Sequence, residues 1–434
     1  MLAHYSFTRY LAGKSETRGE ESCRMIPAQS AHSQVLATRL QRFMDEHVYP
    51  NEKLYEEQLH AGPEQFRVPP ILEELKAKAK AQGLWNLFLP HSDNGAGLSN
   101  LDYAPLAEIM GRVHYASEVF NCSAPDTGNM EVLDRYGSEA QKARWLKPLL
   151  EGEIRSAYCM TEPAVASSDA TNIETRIDRD GDDYVINGRK WFITNAYHPN
   201  TRVFILMGKT DFDAPRHLQQ SQILIPTDTR GITWVRPLPV MGFFDEPKGQ
   251  AELLFEDVRV PKDNIILGEG RGFEISQGRL GPGRIHHCMR ILGQCERMLE
   301  LTCKRLLNRV AFGKPLASQS VWQERVAEAR IQINMARLLT QRAAHLMDSV
   351  GNKEARSEIS QIKVAATRIG RMVADIAVAA HGAAGLTNDF GLGYGFTRMQ
   401  MLRMGDGPDE VHNRIIARAE FDRYNSVHRS GEGE

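Results

Sequence analysis

Five short clusters in this 434-residue chain hold side chains able to bind a flat ring, bind a phosphate or move a proton. The first is Tyr158-Cys159-Met160-Thr161-Glu162-Pro163, followed by Ser167-Ser168-Asp169. Its hydroxyls and turn backbone could hydrogen-bond a planar heterocycle and a phosphate; the same residue types also serve as plain turn formers. The second, Lys190-Trp191-Phe192-Ile193-Thr194-Asn195, sets aromatic rings beside the Thr194 hydroxyl on a strand-like run, suited to flanking a ring or to packing a core. The third runs from Asn308 to Leu316, where Arg309 could grip a pyrophosphate by paired hydrogen bonds or end a helix as a cation near its C-terminal dipole. The fourth, His381-Gly382-Ala383-Ala384-Gly385-Leu386, offers small residues that permit close backbone approach or cap a helix. The fifth is Gly405-Asp406-Gly407-Pro408-Asp409-Glu410. There Asp406 is either a base on an unencumbered turn or the N-cap of the following helix.

Other chemistries are missing. His286 and His287 are adjacent, so on a helix they point about 100° apart and do not readily share a metal. No H-E-x-x-H, G-x-S-x-G or Walker A sequence occurs. Lys plus Arg (53) nearly cancels Asp plus Glu (55), which argues against nucleic acid as the main ligand because no strong positive field remains. No apolar run approaches the roughly 20 residues of a membrane helix. The six cysteines form no C-x-x-C pair, so neither a disulfide framework nor a zinc knuckle is expected. That usage fits a reducing compartment, and a cytoplasmic location is expected, with the mitochondrial matrix as the eukaryotic alternative. Residues 1–32 mix Arg9, Lys14, Arg18 and Arg24 with Glu16, Glu20 and Glu21, which suits a flexible extension better than a transit peptide.

The elements that must position these clusters fall into three blocks. Helical periodicity over Ser33 to Val48, a Pro69-Pro70 start ended by Gly83, a helix capped by Asn100 and another from Glu139 to Leu150 predict an all-α domain over 33–155. Residues 156–266 read as a small β barrel or sandwich. Asn187-Gly188 is expected to turn a hairpin between Tyr184-Val185-Ile186 and Lys190 to Thr194. Further strands are expected at Val203 to Met207, Ser221 to Pro226, Ile232 to Val235 and Ala251 to Phe255. From 267 to 434, long patterns at Arg284 to Leu307, Val321 to Val350 and Ser357 to Ala380, with a last helix over Asp409 to Tyr424, predict a four-helix bundle. The fold class is therefore α+β and multidomain.

Taken in order, the clusters are more specific than any one of them. Tyr158-Cys159-x-Thr161-Glu162-Pro163, Asn187-Gly188-x-Lys190-x-x-Ile193-Thr194-Asn195, Phe255-Glu256-Asp257-Val258-Arg259-Val260-Pro261 and Arg309-x-x-Phe312-Gly313-Lys314-Pro315-Leu316 resemble the acyl-CoA dehydrogenase family over about residues 35 to 425. Gly281-Pro282-Gly283-Arg284-Ile285-His286-His287 is most similar to the dehydrogenase domains of family members 10 and 11. The resemblance implies that family's fold, FAD as cofactor, an acyl-CoA substrate, electron-transferring flavoprotein as acceptor, and a homo-oligomer (tetramer or dimer) with cofactor sites shared between subunits. It implies that Tyr158, Met160, Thr161, Ser168, Phe192 and Thr194 contact the cofactor. Arg309, Phe312, Gly382 and Ala383 are implied to contact the FAD of a neighbouring subunit. Ser167, Arg284 and Gly407 are implied on the substrate side.

The resemblance further implies α,β-desaturation of an acyl-CoA in fatty acid β-oxidation, with a medium-to-long, branched or hydroxylated chain expected. Many members carry the base as Glu in a Glu-Gly-Thr turn before the last helix. Counting back from Ile415-Ile416-Ala417-Arg418 sets Asp406-Gly407-Pro408 on that turn, so Asp406 is the expected base, one methylene shorter. Water exclusion by the acyl chain is expected to raise its pKa towards the working range. Alternatives are a nitroalkane-oxidase-like or acyl-CoA-oxidase-like enzyme on the same fold, and a non-catalytic flavin or acyl-CoA binding protein. The nitroalkane reading calls for an Arg seven residues beyond the Asp, where this chain has Asn413.

Overall fold

The structure, a computed structural model, describes residues 26–90 and 92–429; most of the expected 1–32 extension lies outside them. Helix α1 (Ala31–Phe43) begins where the Ser30 hydroxyl accepts the Ser33 amide at 3.1 Å, and it buries Leu36, Leu40 and Phe43 along one face. Helices α2 (Glu52–Leu59) and α3 (Pro70–Ala81) follow, the latter with proline in its first turn. Helix α4 (Asn100–Gly111) is capped by Ser99, whose Oγ accepts the Asp102 amide at 3.1 Å. Asn100, expected as the cap, is instead the first helical residue. Helix α5 (Asp126–Tyr136) is not among the expected elements, because its buried residues mix Asp126, Thr127, Asn129 and Glu131 with Met130, Val132 and Leu133 and so dilute the apolar period. A last helical run over 139–151 opens with a reciprocal cap between Ser138 and Gln141.

Strands β1 (Arg155–Cys159), β2 (Arg176–Asp180), β3 (Asp183–Thr194), β4 (Thr201–Lys209), β5 (Gln220–Pro226), β6 (Ile232–Pro237) and β7 (Gln250–Pro261) form one sheet in the order β1-β4-β2-β3-β7-β6, with β5 also pairing β4. The expected hairpin is wrong. β3 runs unbroken through Asn187-Gly188 and pairs along its length with β7. Gly188 is there for space: a Cβ on it would come within 2.3 Å of Thr175 Oγ1. The true turn lies earlier, at Gly181 (φ 65°), and joins β2 to β3.

The C-terminal block is helical: α6 (Gly272–Asn308), α7 (Ser320–Val350), α8 (Arg356–His381), α9 (Leu392–Met404) and α10 (Asp409–Arg429). Helix α6 starts a full three turns before Arg284 and runs through Gly281-Pro282-Gly283. Helix α9 extends the expected set of four. One apolar core joins the first and last blocks, taking in Leu40, Met110, Leu292 and Met399, while Ile186, Phe204, Leu253 and Phe255 centre a second core on the sheet. The crossing of α4 on α6 is backbone to backbone: a Cβ on Gly293 would sit 1.9 Å from the Glu108 carbonyl, so this contact fixes α6 against the first block.

Candidate active site

Asp406 occupies the turn between α9 and α10 with a left-handed backbone, φ 56°. A non-glycine residue there is strained, and such strain persists only where the surroundings hold it. Two α6 side chains do so. Arg284 Nε donates to the Asp406 carbonyl at 3.2 Å, and His287 Nδ1 lies 2.7 Å from Asp406 Oδ2. The spacing of three puts both on one face of α6. From α10, the buried ring of His412 lies with Nε2 3.2 Å from the same carbonyl. The Asp406 side chain caps no helix amide among the described residues. The charge at the α10 start belongs to Asp409, buried and paired with Arg403 at 2.9 Å.

Burial works to raise the Asp406 carboxyl, but His287, by charge and hydrogen bond, and then Arg284 and Arg279 outweigh it and hold it well below the usual carboxylate range. The expected upward shift is therefore not the property of the free protein: the surrounding cations and donor override desolvation. Burial also pushes the His287 imidazole below its ordinary value, against the pull of Asp406, and the Nδ1 position suits a ring that donates a hydrogen to the carboxylate. Sequence reasoning weighs His287 only as a metal ligand and misses it. The available signal is its spacing of three from Arg284.

The first two clusters meet at the sheet. Thr161 Oγ1 donates to the Trp191 carbonyl at 2.5 Å, and the Trp191 amide donates to the Thr161 carbonyl at 3.0 Å. Next to this junction Phe192 has φ 53° and is 46% exposed, an aromatic ring held out from a strand. Thr194 Oγ1 donates to Gln250 Oε1 at 2.8 Å. Beneath them Lys190, fully buried, donates to the Met160 carbonyl at 2.9 Å, Glu162 Oε1 at 2.8 Å and the Met207 carbonyl at 2.7 Å. Glu162 in turn accepts the amides of Glu174 and Thr175, so the Met160-Thr161 turn is pinned from below. Tyr158 bonds Ser276 at 2.9 Å and Gln222 at 3.0 Å, with Arg279 stacked 4.0 Å over its ring. Ser167 Oγ accepts the Glu162 amide at 2.8 Å, a turn-forming contact; Ser168 is exposed.

The exposed ring at Phe192, the Thr161 and Thr194 hydroxyls and the adjoining backbone fit a planar, polar-edged heterocycle such as a flavin. The implied cofactor residues of the last block lie on other elements and are exposed. Phe312 is 100% exposed on the tight β8–β9 link (β8 Val310–Ala311, β9 Lys314–Pro315), and the exposed Arg309 guanidinium makes no ion pair among the described residues. Gly382 and Ala383 lie exposed just past α8, and a Cβ on Gly382 would meet open space. Gly407, with φ 101°, packs over His412 beside Asp406. Asn413, at the position where the nitroalkane reading calls for an Arg, is exposed on α10. A surface hollow of about 670 Å³ bounded by Arg112, Glu300, Cys303 and Arg330 shares none of these residues.

Three family models match the chain: the N-terminal domain of acyl-CoA dehydrogenases over residues 30–153, the middle domain over 157–258 and the C-terminal domain over 270–421. The chain is 54% identical to FadE2 of Mycobacterium tuberculosis, named as an acyl-CoA dehydrogenase, over 92% of this chain and 98% of that one. It is also 54% identical to acyl-CoA dehydrogenase family member 10 of Mus musculus over 89% of this chain, although it spans only 36% of that longer protein. A solved structure from Mycobacterium abscessus, titled as an acyl-CoA dehydrogenase, superposes with a TM-score of 0.89 at 53% identity, covering 92% of this chain and 100% of that one.

Proposed function

Because this chain belongs to the acyl-CoA dehydrogenase family, we propose that it desaturates an acyl-CoA between its α and β carbons, with Asp406 as the base. One observation carries the reading: a carboxylate on a strained, left-handed turn before the last helix, with one oxygen 2.7 Å from His287 Nδ1. The thioester α-proton is too weakly acidic for an ordinary carboxylate, so the developing enolate needs donors aimed at its oxygen. The Asp406 backbone amide is the candidate this chain supplies, and one such donor contributes roughly 3 kcal/mol. Breaking the Cα–H bond delivers the proton to the Asp406 carboxylate, which becomes the acid. FAD, when bound, supplies the acceptor for the β-hydrogen and its electron pair.

The residues supporting FAD are Met160, Thr161, Phe192 and Thr194 around the ring. A second copy of the chain would bring Arg309, Phe312, Gly382 and Ala383. The exposed stripe Ile331, Met335 and Leu338 along α7 supports a homo-oligomer, because the spacings of four and three put these apolar side chains on one face. Electron-transferring flavoprotein is the proposed acceptor, and a medium-to-long, branched or hydroxylated acyl chain the proposed substrate. Anaerobic titration of the purified protein with an acyl-CoA panel, followed by flavin absorbance, tests the reading. Bleaching by one chain class supports it. A yellow protein that no acyl-CoA reduces defeats the substrate assignment, and a colourless protein that takes up no FAD defeats the cofactor.

A further inference from the structure

We infer that His287 is a positioning residue for Asp406: its Nδ1–H ties down one carboxylate oxygen so that the other is presented to the substrate α-carbon. This deepens, and rests on, the desaturase reading. Asp has a single χ1/χ2 pair and a short arm, and the turn carrying it is left-handed. Arg284 and His412 hold only its backbone carbonyl. The contact from His287 Nδ1 to Oδ2 at 2.7 Å is therefore the one that fixes the carboxylate plane among the described residues. The His287 ring is itself mostly buried on α6, a helix locked against α4 at Gly293, so the donor sits on a rigid element.

The groups facing this pair come from several elements. Arg279, Arg284 and Arg290 come from α6, Lys363 from α8, His412 from α10 and Tyr158 from β1. Most are cationic and favour the carboxylate. Removing the His287 donor then does two things: it frees the carboxylate to rotate, and it lets the Asp406 pKa climb. A reacting atom misplaced by about 1 Å can cost about 100-fold in rate.

The test uses two amides in the holoenzyme. In His287→Asn the amide nitrogen overlays Nδ1 and keeps the bond to Asp406. In His287→Gln it reaches instead to the Nε2 position and does not. Three readouts are needed: the rate of flavin bleaching by acyl-CoA against pH, deuterium uptake at the acyl-CoA α-carbon from D2O, and the melting temperature. The expected result is that His287→Gln slows both reactions by about 30- to 100-fold, with kcat falling more than KM changes and an acid limb moving up into the accessible range. His287→Asn stays within several-fold of wild type at a similar melting temperature. Equal rates and equal pH profiles for the two variants overturn the inference while leaving the desaturase reading intact. A wild-type protein that neither bleaches nor exchanges the α-proton overturns both.

Discussion

Lys190→Met should cost more stability than any surface change and should loosen the proposed flavin site at the same time. The ammonium is fully buried, is paired with Glu162 at 2.8 Å and also donates to the carbonyls of Met160 and Met207. Burial pulls the Lys190 pKa down, and Glu162 works against that pull; Glu162 itself is held below its ordinary value by Lys190 despite burial. Methionine keeps the volume and removes the charge. Glu162 keeps its two backbone amide donors, so it is weakened but not orphaned. Removing one member of a buried pair typically costs about 3 to 5 kcal/mol, and the retained amides favour the lower end, about 3 kcal/mol. Equilibrium urea unfolding measures the cost, and FAD content per chain reports the turn at Met160 and Thr161. The double variant Lys190→Met/Glu162→Gln should recover at least about 1 kcal/mol relative to the sum of the single changes, because each single change leaves the other charge buried. A Lys190→Met cost under about 1 kcal/mol, or strict additivity, would refute the reasoning.

Glu131 on α5 is buried, with one carboxylate oxygen lacking a hydrogen-bond partner, and burial pushes its pKa up to about 7 against Arg135 and Arg279. Its folded pKa is raised, so the wild-type protein loses stability as pH rises from about 4.5 through 7. Glu131→Gln should therefore stabilise by about 2 to 3 kcal/mol at pH 8 and by little at pH 5, as read by urea midpoints at the two pH values. Gly188→Ala should destabilise by about 1 to 3 kcal/mol, because its methyl group meets the Thr175 side chain within the sheet; an unchanged melting curve would contradict the packing at β3. With the Asp406 pKa depressed, the base is already ionised across the ordinary range. The pH profile of kcat/KM for the wild-type protein should then show no acid limb attributable to a carboxylate above about pH 5.

The α–β–α block order is legible in the sequence because long amphipathic patterns and β-rich runs each carry their own period. What escapes has a physical pattern. Helix α5 turns Asp126 and Asn129 inward to satisfy partners on the sheet: Asp126 accepts the Ser156 amide at 2.7 Å and Asn195 Nδ2 at 2.8 Å, and Asn129 Nδ2 donates to Ser156 Oγ at 2.9 Å. Polar residues turned inward dilute the apolar signal. Asn187-Gly188 carries the composition of a turn, but its glycine answers to a neighbour 13 residues earlier in sequence, Thr175, which no local rule sees. At the site, Asp406 is found by counting back from the last helix. His287 is passed over because adjacent histidines suggest a metal question first. Its meaning depends on a turn 119 residues away that only the folded chain brings to it. Arg309 and Phe312 sit exposed at the β8–β9 link, on a different block from Thr161 and Phe192, and no local pattern in the sequence relates the two.

Rapid anaerobic mixing of acyl-CoA with wild-type protein and with Asp406→Asn, matched for FAD content, tests the central claim most directly. The account predicts that the Asp406→Asn variant stays yellow and folded while its flavin bleaching falls by several orders of magnitude, since an amide cannot accept the α-proton. Bleaching of the variant at a near-wild-type rate would contradict it and move the base elsewhere.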